Sequence, residues 1–219
     1  MSIVLTNTAV AETVANYDGF ASLVAKWSHR TDLADMIPSF LSLAEARISN
    51  DLRLARQLTT VTLVQPANVR GVDLPDDWLE IKSIILPDAP ERRLEFISQD
   101  QFDRKTLERY DQLTNRNLSF VYTLDGDRLL TGRIPKADYN ITLRYYARLP
   151  SLLTTDSNWL VQYHPGVYLW AVLIEVMLYT QDNDQMMIYT QRYTTEVERL
   201  QMVENKAAHS GSTLRIRTR

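Results

Sequence analysis

The sequence predicts an α+β fold: a helical bundle from the N- and C-terminal helices, with an inserted small antiparallel β domain. Apolar residues recur at helical spacing in residues 17–53 and again after Pro150. Between these regions lie short runs rich in β-branched and aromatic residues, separated by prolines. Helical patterns at both ends and a strand pattern in the middle therefore predict that the β domain interrupts the bundle.

The 219-residue chain is long enough to bury a sizeable core. We expect four parts along it. They are residues 1–56 as an N-terminal arm and bundle helices, 57–147 as the β domain, 148–207 as C-terminal bundle helices, and 208–219 as a flexible arm. The chain contains no cysteine, which excludes disulfides and cysteine-based metal sites or nucleophiles.

Two helices are predicted near the N-terminus. The first carries an apolar face and ends before Thr31-Asp32, and Pro38 suits the first turn of the second. The apolar face of the first comprises Phe20, Leu23, Val24 and Trp27, and that of the second comprises Ile37, Phe40, Leu41, Ala44, Ile48 and Leu52. The charged residues Glu45, Arg47, Asp51 and Arg53 lie largely away from this stripe. Arg47 and Asp51 are four residues apart and can pair, which would contribute a few tenths of a kcal/mol.

Six short runs predict the strands of the β domain. They are residues 59–64, 78–86, 92–97, 118–124, 128–133 and 139–147. Asp125-Gly126 predicts a hairpin turn with positive φ at both turn positions. One helix, over residues 98–110 and capped by Ser98, is predicted to interrupt the strands.

Helical spacing returns after Pro150. Asp156 or Ser157 is predicted to cap a short turn, and Pro165 to begin a helix that is apolar nearly all round. We expect a break at Asp182-Asn183 and then a last helix over residues 184–206. Its predicted inner face comprises Met186, Tyr189, Tyr193, Val197, Leu200 and Val203.

Glu175 lies inside the apolar helix, where an unpaired carboxylate would be costly. We expect an arginine from another helix or another subunit to pair with it.

The sequence predicts no catalytic residue, no cofactor and no metal site. Asp125 and Asp127 resemble an acid pair, but Asp-Gly-Asp is more typical of a turn. Asp182 and Asp184 could hold a cation, but a helix break followed by a cap is favoured. His29, His164 and His209 lack ligand-like spacing, and we expect caps or interhelical hydrogen bonds at the first two. With six glycines, the chain contains no glycine-rich phosphate loop.

Charge and hydropathy argue against two further classes of partner, nucleic acid and membrane. The net charge is −3, and because Arg215, Arg217 and Arg219 contribute +3, the rest of the chain carries −6. Such a body does not predict a groove that grips nucleic acid. The longest apolar run, residues 167–179, is too short to span a membrane, which takes about 20 residues. The N-terminus lacks the basic start of a secretory signal.

The last ten residues, S-G-S-T-L-R-I-R-T-R, begin with a flexible Ser-Gly-Ser. Leu214 and Ile216 then alternate with Arg215 and Arg217, which is the spacing of a strand. One interpretation is a strand that adds to a partner, and the other is a disordered basic tail.

Several blocks of the sequence resemble the head-to-tail adaptor (connector) proteins of short-tailed and related tailed bacteriophages. The blocks are W-S-H-R-T-D-L, I-P-S-F-L-S-L-A-E-A-R-I-S-N-D-L-R, L-P-D-D-W-L-E-I, I-P-K-A-D-Y-N-I-T-L-R-Y-Y-A-R-L-P-S-L and S-N-W-L-V-Q-Y-H-P-G-V-Y-L-W-A-V-L. They follow one another in order over most of residues 17–200. Each block alone is a weak structural motif, and their order makes the resemblance fairly specific.

The resemblance implies a structural virion protein and not an enzyme. Its expected partners are the portal protein, a tail or nozzle protein, and further copies of itself in a dodecameric ring. Genomic DNA is expected to pass through the ring without specific binding, and no membrane is involved. The expected location is the neck between head and tail, with assembly in the host cytoplasm. The implied portal-binding arm comprises Thr213, Leu214, Arg215, Ile216, Arg217 and Arg219.

A ring also requires a contact between subunits. The charged side of the second helix carries more charged residues than a small domain needs in order to be soluble. The candidates for this contact are Glu45, Arg47, Asp51, Arg53 and Glu175. Three alternatives remain open from the residues: a phage-borne cell-wall hydrolase, another tail or neck protein without portal contact, and a nucleic-acid-binding module.

Overall fold

The computed structural model describes residues 16–111 and 120–209. Contacts divide the chain into two compact units. Met1–Ala55 and Leu149–Arg219 form the helical unit, and Arg56–Arg148 forms the β unit. Helices and mainly antiparallel sheets together confirm the predicted α+β class.

Helices account for most of the helical unit. Those of the described residues are α1 (Tyr17–Ser28), α2 (Ile37–Asp51), α3 (Gln99–Asp111), α4 (Leu152–Thr155), α5 (Trp159–Tyr163), α6 (Pro165–Thr180) and α7 (Asn183–His209). All except α3 belong to the helical unit. Short 3-10 turns at Ala34–Met36 and Ala55–Gln57 precede α2 and β1.

Local capping explains where the first helices begin and end. The side chain of Asn16 accepts a hydrogen bond from the Gly19 N–H at 3.0 Å and starts α1. His29 adopts a left-handed conformation with φ 52°, which ends the helix before the predicted break at Thr31-Asp32. Pro38 occupies the first turn of α2, as predicted.

The core of the helical unit forms where α1, α2 and α7 pack against α6. All six residues of the predicted α2 stripe are buried, and so is nearly every side of α6. On α7, Tyr193, Val197 and Leu200 are buried. The prediction for Val203 was wrong, because it lies beyond the last core position of the helix and its side chain is 59% exposed.

Two four-stranded sheets form the β unit. The strands are β1 (Leu58–Gln65), β2 (Gly71–Asp73), β3 (Trp78–Leu86), β4 (Ala89–Arg93), β5 (Glu95–Phe96), β6 (Val121–Asp125), β7 (Arg128–Thr131) and β8 (Tyr139–Ala147). One sheet has the order β1-β8-β3-β4 and the other β2-β7-β6-β5. Pairing is antiparallel except between β5 and β6, which run parallel. The short strand β2 was not predicted, because three residues carry too little pattern.

The hairpin between β6 and β7 differs from its prediction by one residue. Asp125 pairs with Arg128, so the two turn positions are Gly126 and Asp127. Only Gly126 has a positive φ, 58°, which fits a type II′ turn and not the expected type I′. The predicted helix with its cap is confirmed as α3, since the Ser98 hydroxyl accepts from the Gln101 N–H at 3.4 Å.

Candidate functional site

The charged side of α2 contacts other helices of its own unit. Glu45 accepts a hydrogen bond from the backbone N–H of Leu152 at 2.8 Å, at the start of α4. This carboxylate satisfies one of the free N–H groups that every helix start presents, and its charge suits the positive end of the helix dipole. Glu45 therefore joins α2 to α4 through two residues that lie 107 positions apart in the chain.

Arg47 forms the ion pair that Glu175 was predicted to need. One guanidinium nitrogen lies 2.6 Å from Oε1 of Glu175, and Nε donates to the same oxygen at 3.2 Å. The Glu175 side chain is only 11% exposed, whereas that of Arg47 is 35% exposed. The predicted arginine partner thus comes from another helix of the same chain.

Asp51 accepts a hydrogen bond from the Tyr193 hydroxyl at 2.8 Å and so connects α2 with α7. Burial, and then the nearby carboxylate of Asp51, raise the pKa of Tyr193 well above its ordinary value. The side-chain amide of Gln201 donates to the Asp51 carbonyl at 3.0 Å. These contacts contradict the predicted Arg47–Asp51 pair, because each of the two side chains turns to a partner on another helix.

Arg53 also acts within its own unit. One of its guanidinium nitrogens donates to the carbonyl oxygens of Ser49 at 2.5 Å and Leu52 at 2.7 Å. A cation there satisfies carbonyls that the end of α2 leaves without helical partners. Glu45, Arg47 and Asp51 thus connect α2 to other helices, whereas Arg53 caps the end of α2 itself. The predicted role of these residues between subunits stays a prediction.

Asn158 was missed by the sequence reasoning, which named Asp156 and Ser157 as possible caps. The buried Asn158 side chain accepts from the N–H groups of Leu160 and Val161, both at 3.1 Å, and starts α5. Its amide also donates to the Tyr168 hydroxyl at 2.7 Å. Burial raises the pKa of Tyr168 above its ordinary value. An asparagine just before an apolar run was the available signal.

Aromatic rings gather where α1, α6 and α7 meet. Trp27 and Trp170 make an edge-to-face contact at 5.2 Å, and Trp170 stacks on Tyr189 at 5.7 Å. The guanidinium carbon of Arg192 lies 4.9 Å from the centre of the Trp170 ring. Beside this cluster lies an open groove of about 540 Å³, whose lining includes His29, Arg30 and Asp182.

None of the alternative chemical sites assembles in the described residues. Asp125 is the last residue of β6 and Asp127 is the second position of the β6–β7 turn, which agrees with the interpretation of Asp-Gly-Asp as a turn. The Asp182 carboxylate accepts from the Gln185 N–H at 3.1 Å, which is a helix cap. His29 ends α1 and His164 lies between α5 and α6. Within residues 16–111 and 120–209, no group of three or more His, Cys, Asp or Glu side chains could hold a metal ion.

Exposed apolar side chains mark one surface of the helical unit. Leu43 on α2 and Tyr179 on α6 are both more than half exposed. Leu43 lies one turn before Arg47 on α2, and Tyr179 lies one turn after Glu175 on α6. Because Phe40 contacts Tyr179, the two helices run antiparallel here, and both exposed side chains lie on the same side of the ion pair. We call Leu43, Arg47, Glu175 and Tyr179 the α2/α6 surface. Exposed aromatic and aliphatic groups around a paired charge are typical of contact surfaces.

The predicted portal-binding arm, Thr213 to Arg219, lies outside the described residues. The described helices include none that is both long and apolar enough to cross a bilayer.

Comparison with known proteins gives one family match. Residues 15–217 match the family described as SU10 adaptor protein, which covers almost the whole chain. No curated protein matches the chain. The matched region includes both units of the fold and every block that carried the sequence resemblance. The chain therefore belongs to the SU10 adaptor protein family, and the resemblance to phage head-to-tail adaptors is confirmed.

Proposed function

We propose that this protein binds the portal vertex of the filled phage head as a dodecameric ring. The ring extends the DNA channel and provides the attachment platform for a tail or nozzle protein. Membership of the adaptor family over residues 15–217 is the observation that carries this proposal. A structural adaptor of the virion needs defined surfaces for its neighbours, and the two units with their exposed apolar residues offer them.

The portal contact is assigned to the C-terminal arm. Leu214 and Ile216 alternate with Arg215 and Arg217, so an extended segment would present apolar and cationic faces. Main-chain hydrogen bonds to a sheet or groove of the portal would supply affinity, and the arginines would steer the encounter.

Contact between neighbouring subunits is assigned to the α2/α6 surface. Arg47 keeps about a third of its side chain exposed while it pairs with Glu175. It can therefore meet a neighbour without losing its own partner. Leu43 and Tyr179 add apolar area beside it. Glu45, Asp51 and Arg53 then act indirectly, because they hold α2 in place.

The channel is proposed to carry DNA without binding it. Apart from the three arginines of the arm, the chain has a net charge of −6. A negative wall repels the phosphate backbone and leaves the DNA free to slide. We also propose that the protein has no enzymatic activity. Its proposed location is the virion neck, and it is proposed to assemble in the host cytoplasm.

Mixing the purified full-length chain with portal rings tests the proposal. Electron microscopy and mass measurement of the product should show an added ring of this chain on each portal. A variant that ends at residue 209 keeps all described residues and should lose portal binding. Binding to tail proteins but not to portal rings would instead favour a neck or tail protein without portal contact.

Two further assays address the remaining alternatives. Clearing of peptidoglycan in a zymogram, lost on mutation of one carboxylate, would favour a cell-wall hydrolase. Retention of the chain on DNA that weakens steeply with salt would favour a nucleic-acid-binding module. We expect neither result.

A further inference from the structure

Among the described residues, one edge of β1 has no partner strand. Its eight residues pair with β8 in continuous register, from Leu58 opposite Tyr146 to Gln65 opposite Tyr139. In the part of the chain that the structure describes, β1 pairs with no second strand. No backbone or side-chain hydrogen bond of those residues reaches the outer edge of Leu58–Val64 either. A row of main-chain donors and acceptors therefore faces away from the sheet.

The other sheet edges carry features that prevent further pairing. β2 has three residues and β5 has two, which is too short to template another strand. β4 contains Pro90, which has no N–H donor, and its pairing with β3 is irregular. β1 has none of these features, because its sequence LTTVTLVQ lacks proline, charge and a bulge. Proteins rarely leave such an edge exposed unless a partner covers it.

A strand added beside β1 would extend both faces of the sheet, one apolar and one polar. Val61 and Leu63 are half-buried and pack against the core of the β unit. Thr60 and Thr62 are exposed on the opposite face. An added strand with apolar residues on one face and small polar residues on the other would extend this arrangement.

The chain itself contains a segment of this kind. Residues 1–15, M-S-I-V-L-T-N-T-A-V-A-E-T-V-A, include a β-branched run and one charged residue, Glu12. Fifteen extended residues can reach about 50 Å. The C-terminal arm suits this edge less well, because Thr60 lies opposite Arg144 and the arm would add three arginines nearby.

We propose that residues 1–15 of a second copy of this chain add as a strand to the outer edge of β1. The inference rests on the self-association in the proposed function and adds a second contact between neighbours, besides the α2/α6 surface. Donor segment and acceptor edge are different surfaces of one chain, so the contact is heterologous and can close a ring. Pairing of β1 with β1 of another copy would be two-fold and would stop at a dimer.

Engineered disulfides test the contact, since the natural chain has no cysteine. One set of full-length variants carries a single cysteine in the N-terminal segment: I3C, V4C, L5C or T6C. A second set carries it on the exposed face of β1, as T60C or T62C. The matched control is N140C, because Asn140 is exposed on the same face but lies on β8, between β1 and β3. One member of each set is mixed, assembled on portal rings or concentrated alone, and oxidised.

We expect a disulfide-linked dimer between an N-terminal cysteine and T60C or T62C, and none with N140C. A disulfide requires Cα atoms within about 7 Å, and β8 lies one strand too far from an added strand. Absence of every β1 crosslink overturns the inference. So does a crosslink within single chains when both cysteines are placed in one molecule. Portal rings that form without these crosslinks would leave the proposed function intact, whereas crosslinks without rings would overturn only the portal contact.

Discussion

Arg47 and Glu175 lie 128 residues apart in the chain, yet their charged groups meet at 2.6 Å. The pair joins α2 to α6, the most buried of the described helices. A carboxylate inside an apolar helix is tolerated here because two guanidinium donors converge on one of its oxygens. The same pair belongs to the α2/α6 surface, to which we assign the contact between subunits.

Replacing Arg47 with methionine should lower the free energy of unfolding by about 2–3 kcal/mol. Loss of one partner leaves a nearly buried carboxylate uncompensated, and the partial exposure of Arg47 keeps the loss below that of a fully buried pair. Urea denaturation of the free protein measures the change.

Two variants serve as controls for this prediction. Arg199→Met breaks the exposed pair with Glu196, at 3.1 Å, and should change stability by about 0–1 kcal/mol. The double variant Arg47→Met with Glu175→Met should recover most of the loss, because no buried charge is left alone. Equal losses for Arg47→Met and Arg199→Met would contradict the argument.

Asn158→Ala should cost about 2–3 kcal/mol in unfolding free energy. It removes the cap of α5 and leaves the buried Tyr168 hydroxyl without the amide that donates to it. Ser151→Ala is the matched control, since Ser151 caps only the four-residue α4 and should cost about 1 kcal/mol. Thermal or urea unfolding that ranked Ser151→Ala as the more damaging change would refute this assignment.

Leu43→Glu should prevent ring formation on the portal and leave the monomer stable. The Leu43 side chain is 56% exposed, so a surface substitution there should change stability by only about 0.5 kcal/mol. A buried charge in a subunit contact would, in contrast, be strongly unfavourable. Leu153→Glu, at a leucine that is 46% exposed on α4, provides the comparison. If both variants formed rings equally well, the subunit contact would lie elsewhere.

Tyr145 should make stability depend on alkaline pH. Burial, and then the hydrogen bond to Asp77 at 2.8 Å, raise its pKa from 10.0 to about 12. Because the folded pKa exceeds the unfolded one, this contribution is complete below about pH 10 and is lost as pH rises through about 12. The difference in unfolding free energy between the natural chain and Tyr145→Phe should therefore shrink between these values.

Denaturant titrations at several pH values measure that difference. Tyr163→Phe is the control, because the Tyr163 side chain is 65% exposed and outside the β unit. A constant difference between the natural chain and Tyr145→Phe across the range would show that the raised pKa does not contribute.

Periodic patterns predicted the elements that span several turns or several strand residues. The stripe of α2 and the apolar run of α6 both appear where expected, because burial of a whole face imposes the pattern on the sequence. Short features were not predictable in this way. β2 has three residues, and the Gly126-Asp127 turn depends on a one-residue register that Asp-Gly-Asp leaves open.

The sequence predicted which kind of residue pairs with Glu175, but it did not predict which residues form the pairs. The position of Glu175 in an apolar helix was enough to call for an arginine, because an isolated buried carboxylate is unstable. Spacing then favoured Arg47 with Asp51, since only partners on the same helix are visible in a sequence. In the structure, Arg47 instead pairs with Glu175, and Asp51 accepts a hydrogen bond from Tyr193.

By itself, the sequence determined the α+β class, the order of the longer helices and strands, the absence of cysteine chemistry and the family to which the blocks belong. Those properties follow from local spacing and composition. Only the tertiary structure decided which charged groups pair, that Asn158 caps α5 and donates to Tyr168, and that β1 pairs with a single strand among the described residues. These depend on contacts between residues far apart in the chain, whose free energy is set by burial and geometry that no local pattern records.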